Sequence, residues 1–240
     1  MRAAILAGGR GTRLYPYTQE VPKPLLTLSA RPILEILLHQ LYRDGFKNVT
    51  LCLGHHHDAF DRFLKERKGF LPANIKIETV VEPFPLGTAG ALKAVDHGNE
   101  DLLVINGDVL TDMDFGRFYH WHKRKGGTLS IAAQQYQSRL ELGVLEIEGD
   151  NDVSGYIEKP LVSKTVSMGV YAYRPRAFRY MDQNEPLDFP ELAVRLIEIG
   201  EQVKAYNSAD RWVHIGTVEQ YAKARRIFHE HEKCFVAYNE

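Results

Sequence analysis

Gly8, Gly9 and Gly11 fall within four positions, among Arg10 and Arg13, and Lys23 follows between Pro22 and Pro24. Glycine lets backbone N–H groups approach a ligand with no Cβ in the way. The arginines and the lysine add full positive charge, and the two prolines fix the chain around Lys23. Backbone donors crowded with cations suit an anion that carries several phosphates. Far downstream, the apolar run Leu102-Leu-Val-Ile-Asn106 ends in Gly107 and Asp108. A hard divalent cation bridging phosphate oxygens is held by few protein carboxylates. Asp108 is where such an ion is expected, Mg²⁺ first and Mn²⁺ second.

Two common phosphate motifs are excluded. The run Gly9-x-Gly11 continues to Leu14, so G-x-G-x-x-G fails at its third glycine. No Gly-Lys-Ser/Thr occurs anywhere, which removes an ordinary P-loop.

The elements that must position these residues read as an alternation of strands and helices. Met1 to Leu6 is a short apolar strand that empties into the glycine loop. Pro32 opens a helix with Ile33, Ile36, Leu37 and Leu41 at helical spacing, and Gly45 closes it. Val49–Leu53 and Ile75–Val81 are strands, and residues 55–68 form a polar helix between them. Leu86-Gly-Thr-Ala-Gly90 opens a helix with small residues, whose free N–H groups leave room for a flat ring. Met113–Lys125 is a helix that Asp112 or Asp114 caps. The second half is richer in strands: Leu129–Gln134, Leu142–Ile147, Val153–Ile157 and Val166–Tyr173. Helices follow at residues 175–181, 189–199 and 218–231, the last capped by Thr217.

Histidines invite a metal reading that helix geometry refuses. His55, His56 and His57 are consecutive, so on a helix they point about 100° apart and cannot converge on one ion. They read as a solvated helix start. His120, His122, His229 and His231 read as surface residues.

At 240 residues, with 44% hydrophobic and 25% charged residues, the chain suits one globular α/β domain. A formal net charge of −1 gives no basic footprint for nucleic acid. No apolar run reaches membrane-span length, and a strand from residue 3 leaves no room for a signal peptide. Cys52 and Cys234 form no C-x-x-C, so neither a disulfide framework nor a zinc site is indicated. A cytoplasmic enzyme with no membrane or nucleic-acid partner is expected, and a homo-oligomer is left open.

The string Leu6-Ala-Gly-Gly-Arg-Gly-Thr-Arg-Leu14, followed by Pro22-Lys-Pro-Leu25, resembles the nucleotide-binding loop of the sugar-1-phosphate nucleotidylyltransferases. Further markers follow in that family's order along nearly the whole chain. The resemblance implies a three-layer α/β/α, Rossmann-like fold with a mostly parallel mixed central sheet. It implies a single nucleotidyltransferase domain over 1–240, with residues 1–125 for the nucleotide and 126–240 for the sugar phosphate. The family's longer members add a C-terminal β-helix, for which 240 residues leave no room.

By that resemblance, Leu6, Ala7, Gly8, Gly9, Gly11, Thr12, Arg13, Glu82, Gly87 and Thr88 bind the nucleotide. Arg13, Lys23 and Asp108 are catalytic: Arg13 on the leaving pyrophosphate, Lys23 near the α-phosphate, Asp108 on the metal. Gly143, Glu158, Lys159 and Ser167 hold the sugar phosphate; Leu142 replaces the aromatic of Y-G-V, and Ser167 replaces the asparagine of N-x-G-[IV]-Y. Trp212-Val-His-Ile-Gly-Thr217 resembles W-x-D-[IV]-G-T, with His214 where an aspartate gives the second metal contact. Imidazole suits softer ions than Mg²⁺, and Asp210 is the nearby carboxylate that could compensate. The implied partners are an NTP and a sugar 1-phosphate. Glu82-Pro and the L-G-T-A-G segment resemble guanylyltransferase members, so GTP with a mannose- or heptose-type 1-phosphate is favoured. The alternatives are cytidylyl or uridylyl transfer to another sugar phosphate or phosphocholine, and a catalytically weak nucleotide-sugar sensor.

Overall fold

The computed structural model describes residues 1–54, 56–182 and 185–236. His55 lies outside them. The first strand, β1 (Arg2–Leu6), is followed by the glycine loop and by the hairpin β2 (Thr27–Leu28) and β3 (Arg31–Pro32). Then come α1 (Ile33–Arg43), β4 (Asn48–Leu53), α2 (His57–Glu66) and β5 (Lys76–Val81). The one-turn α3 (Gly87–Gly90) leads to β6 (Leu102–Asn106), β7 (Val109–Thr111) and α4 (Phe115–Lys125). The remainder is β8 (Leu129–Arg139), β9 (Val144–Glu148), β10 (Asp152–Ile157), β11 (Leu161–Tyr173), α5 (Phe189–Glu198), β12 (Val203–Asn207), β13 (Trp212–His214) and α6 (Val218–Phe235).

Seven strands form one sheet in the order β12-β8-β11-β6-β1-β4-β5. β1 pairs in parallel with β4 and β6, β4 with β5, and β12 with β8, whereas β11 runs antiparallel to both neighbours. Alternation along the strands fills two cores. Ala3, Ile5, Leu103 and Ile105 face the layer of α1, α2, α4 and α6, while Ala4, Leu102 and Val104 face α3 and α5. The result is the expected three-layer, mostly parallel architecture. Because β1 and β6 lie side by side in register, Leu6 opposite Asn106, their carboxyl ends deliver the glycine loop and Asp108 to the same edge.

Four local expectations are corrected. β12 carries no clean alternation and was not foreseen; it is an edge strand held by β8. The segment from Pro175 to Tyr180 is a 3-10 helix, and L-G-T-A-G makes a single α turn before a 3-10 turn at Ala91–Ala94. His122 is fully buried on the inner face of α4, with Nδ1 2.7 Å from Ser130 Oγ, and not at the surface. Asp114, as foreseen, caps α4 by accepting from the Arg117 N–H.

Candidate active site

The glycine loop leaves β1 with one last sheet bond, Ala7 N–H to Cys52 O at 2.8 Å. No described residue accepts from the N–H groups of Gly8, Gly9, Arg10 or Gly11. A Cβ on Gly9 would meet nothing within 4 Å, whereas one on Gly8 would stand 2.7 Å from Glu82 Oε1. Gly11 has a left-handed φ of 65°, and its carbonyl accepts from the buried Thr18 hydroxyl at 2.7 Å, which pins the loop's far end. The loop is therefore fixed at both ends, with its backbone donors open.

It forms one wall of a cleft of about 680 Å³, within the range of ligand pockets. Leu6, Ala7, Gly8, Gly9 and Arg10 line it on that side. Lys23, Pro24, Asn106, Gly107 and Asp108 make a second part of the lining, and residues 81–85, Gly87, Thr88 and Ala91 a third. Gly54 and His57 complete the lining near the loop.

Gly107 makes the junction between these walls. Its N–H donates to Leu6 O at 2.9 Å, and a Cβ there would stand 2.8 Å from Pro24 Cγ and 2.9 Å from Leu6 O. The contact with Pro24 brings Lys23 Nζ to 2.8 Å from Asp108 Oδ2. The other oxygen, Oδ1, is buried and has no hydrogen-bond partner among the described residues. His214 Nδ1 stands 3.7 Å from it. β13 pairs antiparallel with β7, His214 opposite Val109, and Ile215 N–H donates to Asp108 O at 2.8 Å. This small ladder carries a residue from the far end of the chain to the carboxylate.

A cation fits this donor set. Oδ1 is a buried carboxylate oxygen left without a hydrogen bond among the described residues, and the imidazole facing it would offer a second donor atom to the same ion. Asp210 does not join them. It precedes β13 in a loop, where Ser208 Oγ donates to it at 2.6 Å and Arg117 lies at 3.2 Å. Its expected compensation for the missing aspartate is corrected on those grounds.

The L-G-T-A-G segment also differs from expectation. The Thr88 N–H donates to Asp188 Oδ1 at 3.1 Å, and the Ala89 and Gly90 N–H groups both donate to Leu187 O at 2.9 Å. Thr88 Oγ1 in turn accepts from the Phe189 N–H at 2.8 Å. Gly87 and Gly90 permit that close packing, since a Cβ on either would stand within 3 Å of the 185–187 backbone. Gly87 and Thr88 line the cleft, yet the N–H groups of Thr88, Ala89 and Gly90 are spent inside the protein.

Glu82 has its carboxylate against Gly8 and accepts from the Leu86 N–H at 2.8 Å, so it braces the turn. Burial raises its proton affinity, and the Leu86 amide offsets part of that.

Other residues singled out from sequence stand apart. Thr12 and Arg13 occupy an exposed 3-10 turn, Thr12–Leu14, beyond the cleft lining. Gly143, Glu158 and Lys159 lie around the exposed hairpin β9–β10, where Tyr156 Oη donates to Glu158 at 3.0 Å and Lys159 pairs with Glu141 at 3.1 Å. Ser167 opens an irregular stretch of β11 and lies 3.3 Å from Tyr171 Oη. The same stretch approaches Asn106, since a Cβ on Gly169 would stand 2.9 Å from Asn106 Nδ2; burial pushes the Tyr171 hydroxyl up in pKa. Sequence reasoning missed Asn106, His57 and Phe84 as lining residues. The two prolines flanking Phe84 were the available signal.

An α/β/α protein whose open glycine loop and half-buried carboxylate meet at the carboxyl ends of parallel strands is of the Rossmann-like class. The nucleotidyl transferase family model matches residues 2–231. The chain belongs to that family. A UTP–glucose-1-phosphate uridylyltransferase of Synechocystis is 28% identical over 94% of this chain and 63% of its own length. A mannose-1-phosphate guanylyltransferase catalytic subunit beta of Danio rerio is 30% identical over 92% of this chain and 62% of its own. The chain thus spans somewhat under two thirds of the length of these curated relatives. HddC from Yersinia pseudotuberculosis superposes with a TM-score of 0.73 at 28% identity, covering 95% of this chain and 99% of that one. A second HddC structure, complexed with GMP-PN, gives a TM-score of 0.72 at 26% identity over the same shares.

Proposed function

We propose that the protein transfers a nucleotidyl group from an NTP to a sugar 1-phosphate, giving an NDP-sugar and pyrophosphate. GTP and a mannose- or heptose-type 1-phosphate are the favoured pair. The observation that carries this reading is the pair of Lys23 and Asp108 in one cleft with the open backbone donors of the glycine loop, with His214 facing the second Asp108 oxygen. Support for guanylyl transfer comes from the relatives named mannose-1-phosphate guanylyltransferase and from the HddC complex with GMP-PN.

In this reading the Gly8–Gly11 N–H groups and Arg10 hold the triphosphate, and Arg13 takes up charge on the departing pyrophosphate. A phosphate oxygen of the sugar 1-phosphate forms a bond to the α-phosphorus as the bond to the bridging oxygen of the β-phosphate breaks. The nucleophile is already ionised at neutral pH, so no general base is needed. Both reactants are anions, and Lys23 offsets the charge that gathers around the α-phosphate. Asp108 and His214 would hold Mg²⁺ or Mn²⁺, which supplies charge neutralisation and orientation when bound. The sugar phosphate belongs to residues 126–240, with Ser167 nearest the cluster and Gly143, Glu158 and Lys159 on the hairpin beyond it.

The test is pyrophosphate release across five NTPs with a panel of sugar 1-phosphates, in Mg²⁺ and again in Mn²⁺. Turnover with one pair is expected, with Lys23→Ala and Asp108→Asn each lowering kcat/KM about 10²- to 10³-fold in a folded protein. A Mn²⁺ preference that His214→Asp converts to a Mg²⁺ preference would make His214 a ligand. Silence across the panel, with NDP-sugar still bound, would replace the transferase by a nucleotide-sugar sensor.

A further inference from the structure

Away from the catalytic cleft, the outer side of α6 meets the turn of the β2–β3 hairpin. Ala222, Arg225, Arg226 and His229 follow at i, i+3, i+4 and i+7, so they share one face of the helix. With Ser29, and all five exposed, they line a shallow, open concavity of about 340 Å³. Among the described residues its lining includes two guanidinium groups, an imidazole and a hydroxyl, and no carboxylate.

Neighbouring like charges on a helix face repel one another by a few tenths of a kcal/mol. The lining itself holds three basic side chains and no acid; the acids beside it on α6 are Glu230, four residues after Arg226, and Glu232, which pairs with Arg31 at 3.5 Å. Guanidinium groups present paired N–H donors at the spacing of phosphate oxygens. Ser29 is held in the left-handed region at φ 56°, which fixes the turn that completes the cavity. Both walls are braced: Tyr221 Oη donates to Thr27 O at 2.7 Å, and Thr217 caps α6 by accepting from the Gln220 N–H. Arg225 lies 6.0 Å from the Tyr221 ring centroid, against that brace.

We propose that this cavity binds the phosphate group of a small molecule, or free phosphate or pyrophosphate, at a site separate from the catalytic cleft. Its position gives the binding a consequence. Ser29 follows the segment that carries Lys23, and α6 follows the strand that carries His214. A phosphate bridging Ser29 to α6 ties those two segments together from outside. The binding itself does not depend on the transferase reading.

The test is thermal unfolding in inorganic phosphate, and separately in pyrophosphate, each against chloride at matched ionic strength. It is run on wild-type protein, on Lys23→Ala, and on Lys23→Ala combined with Arg225→Gln and Arg226→Gln. The general stabilisation that phosphate gives any protein is common to all three and cancels. The expected result is a Tm rise of about 2–5 °C that survives Lys23→Ala and is lost in the combined variant. Ala222→Glu, which places a carboxylate in the cavity lining, should abolish the same rise in the Lys23→Ala background. A rise that disappears with Lys23→Ala alone, or that both cavity variants leave unchanged, overturns the proposal. So does the absence of any rise. A response to pyrophosphate and not to phosphate identifies the ligand as a diphosphate.

Discussion

Asp108 uses its two oxygens differently. One is paired with Lys23 at 2.8 Å, and the other is buried and turned towards His214. These three residues were legible because each falls in a spaced motif whose neighbours are glycines and prolines. Thr88 and Asp210 were not, because their hydrogen bonds go to partners about a hundred residues away, at Asp188 and Arg117. His122 is the sharpest residue-scale correction. Burial, and then the charges of Arg174 and Lys123, lower its pKa from 6.5 to about 4. Asp101 stands 3.8 Å from Nε2, but burial makes that carboxylate easier to protonate as well. The folded protein therefore holds His122 neutral while the unfolded chain takes up a proton below about pH 6.5. Its stabilising contribution is complete above pH 6.5 and is lost as the pH falls towards 4, by about 3 kcal/mol in total. Denaturant midpoints measured between pH 4 and 7 should show this slope, and His122→Gln should flatten it.

At the scale of elements, the cleft depends on where segments can touch. Gly107 lets the end of β6, the end of β1 and the Lys23-Pro24 turn meet without a side chain between them. Gly107→Ala is expected to push Pro24 away and carry Lys23 with it. Stability should fall by about 1–3 kcal/mol, and kcat/KM by about 10- to 100-fold through misplacement. Paired Tm and kinetic measurements would check this; loss of stability with normal turnover would free Lys23 from that dependence. Hydrophobic periodicity made β1, α1, β4, β6 and α4 legible within two residues. It could not reveal that α3 is a single turn whose donors Leu187 and Asp188 consume. The sequence Leu-Gly-Thr-Ala-Gly is equally good for an open helix start and for a tightly packed one, and only the return of residues 185–188 decides.

Over the whole molecule, the fold class was legible because strands and helices alternate and the glycine loop follows the first strand. The placement of the second half was less so. β8 and β11 join the main sheet and then run on past it, ending in the hairpin β9–β10. Leu145, Ile147, Val153 and Tyr156 on that hairpin are 49–63% exposed. Their pairing, Leu145 opposite Tyr156 and Ile147 opposite Val153, sets them on one face that no described residue covers. A two-stranded hairpin alone is marginally stable in water. Its amides should therefore exchange with deuterium by local fraying, while those of β1 and β6, buried between two helical layers, exchange only with global unfolding. Mass spectrometry of peptides from residues 140–161 and 102–106 would resolve the two rates, and equal protection would mean that the hairpin is covered in solution. Glu158 and Lys159 ride on this outlying ribbon. Whatever ligand they meet must first supply the free energy to still them, so part of its intrinsic affinity is consumed in ordering the protein.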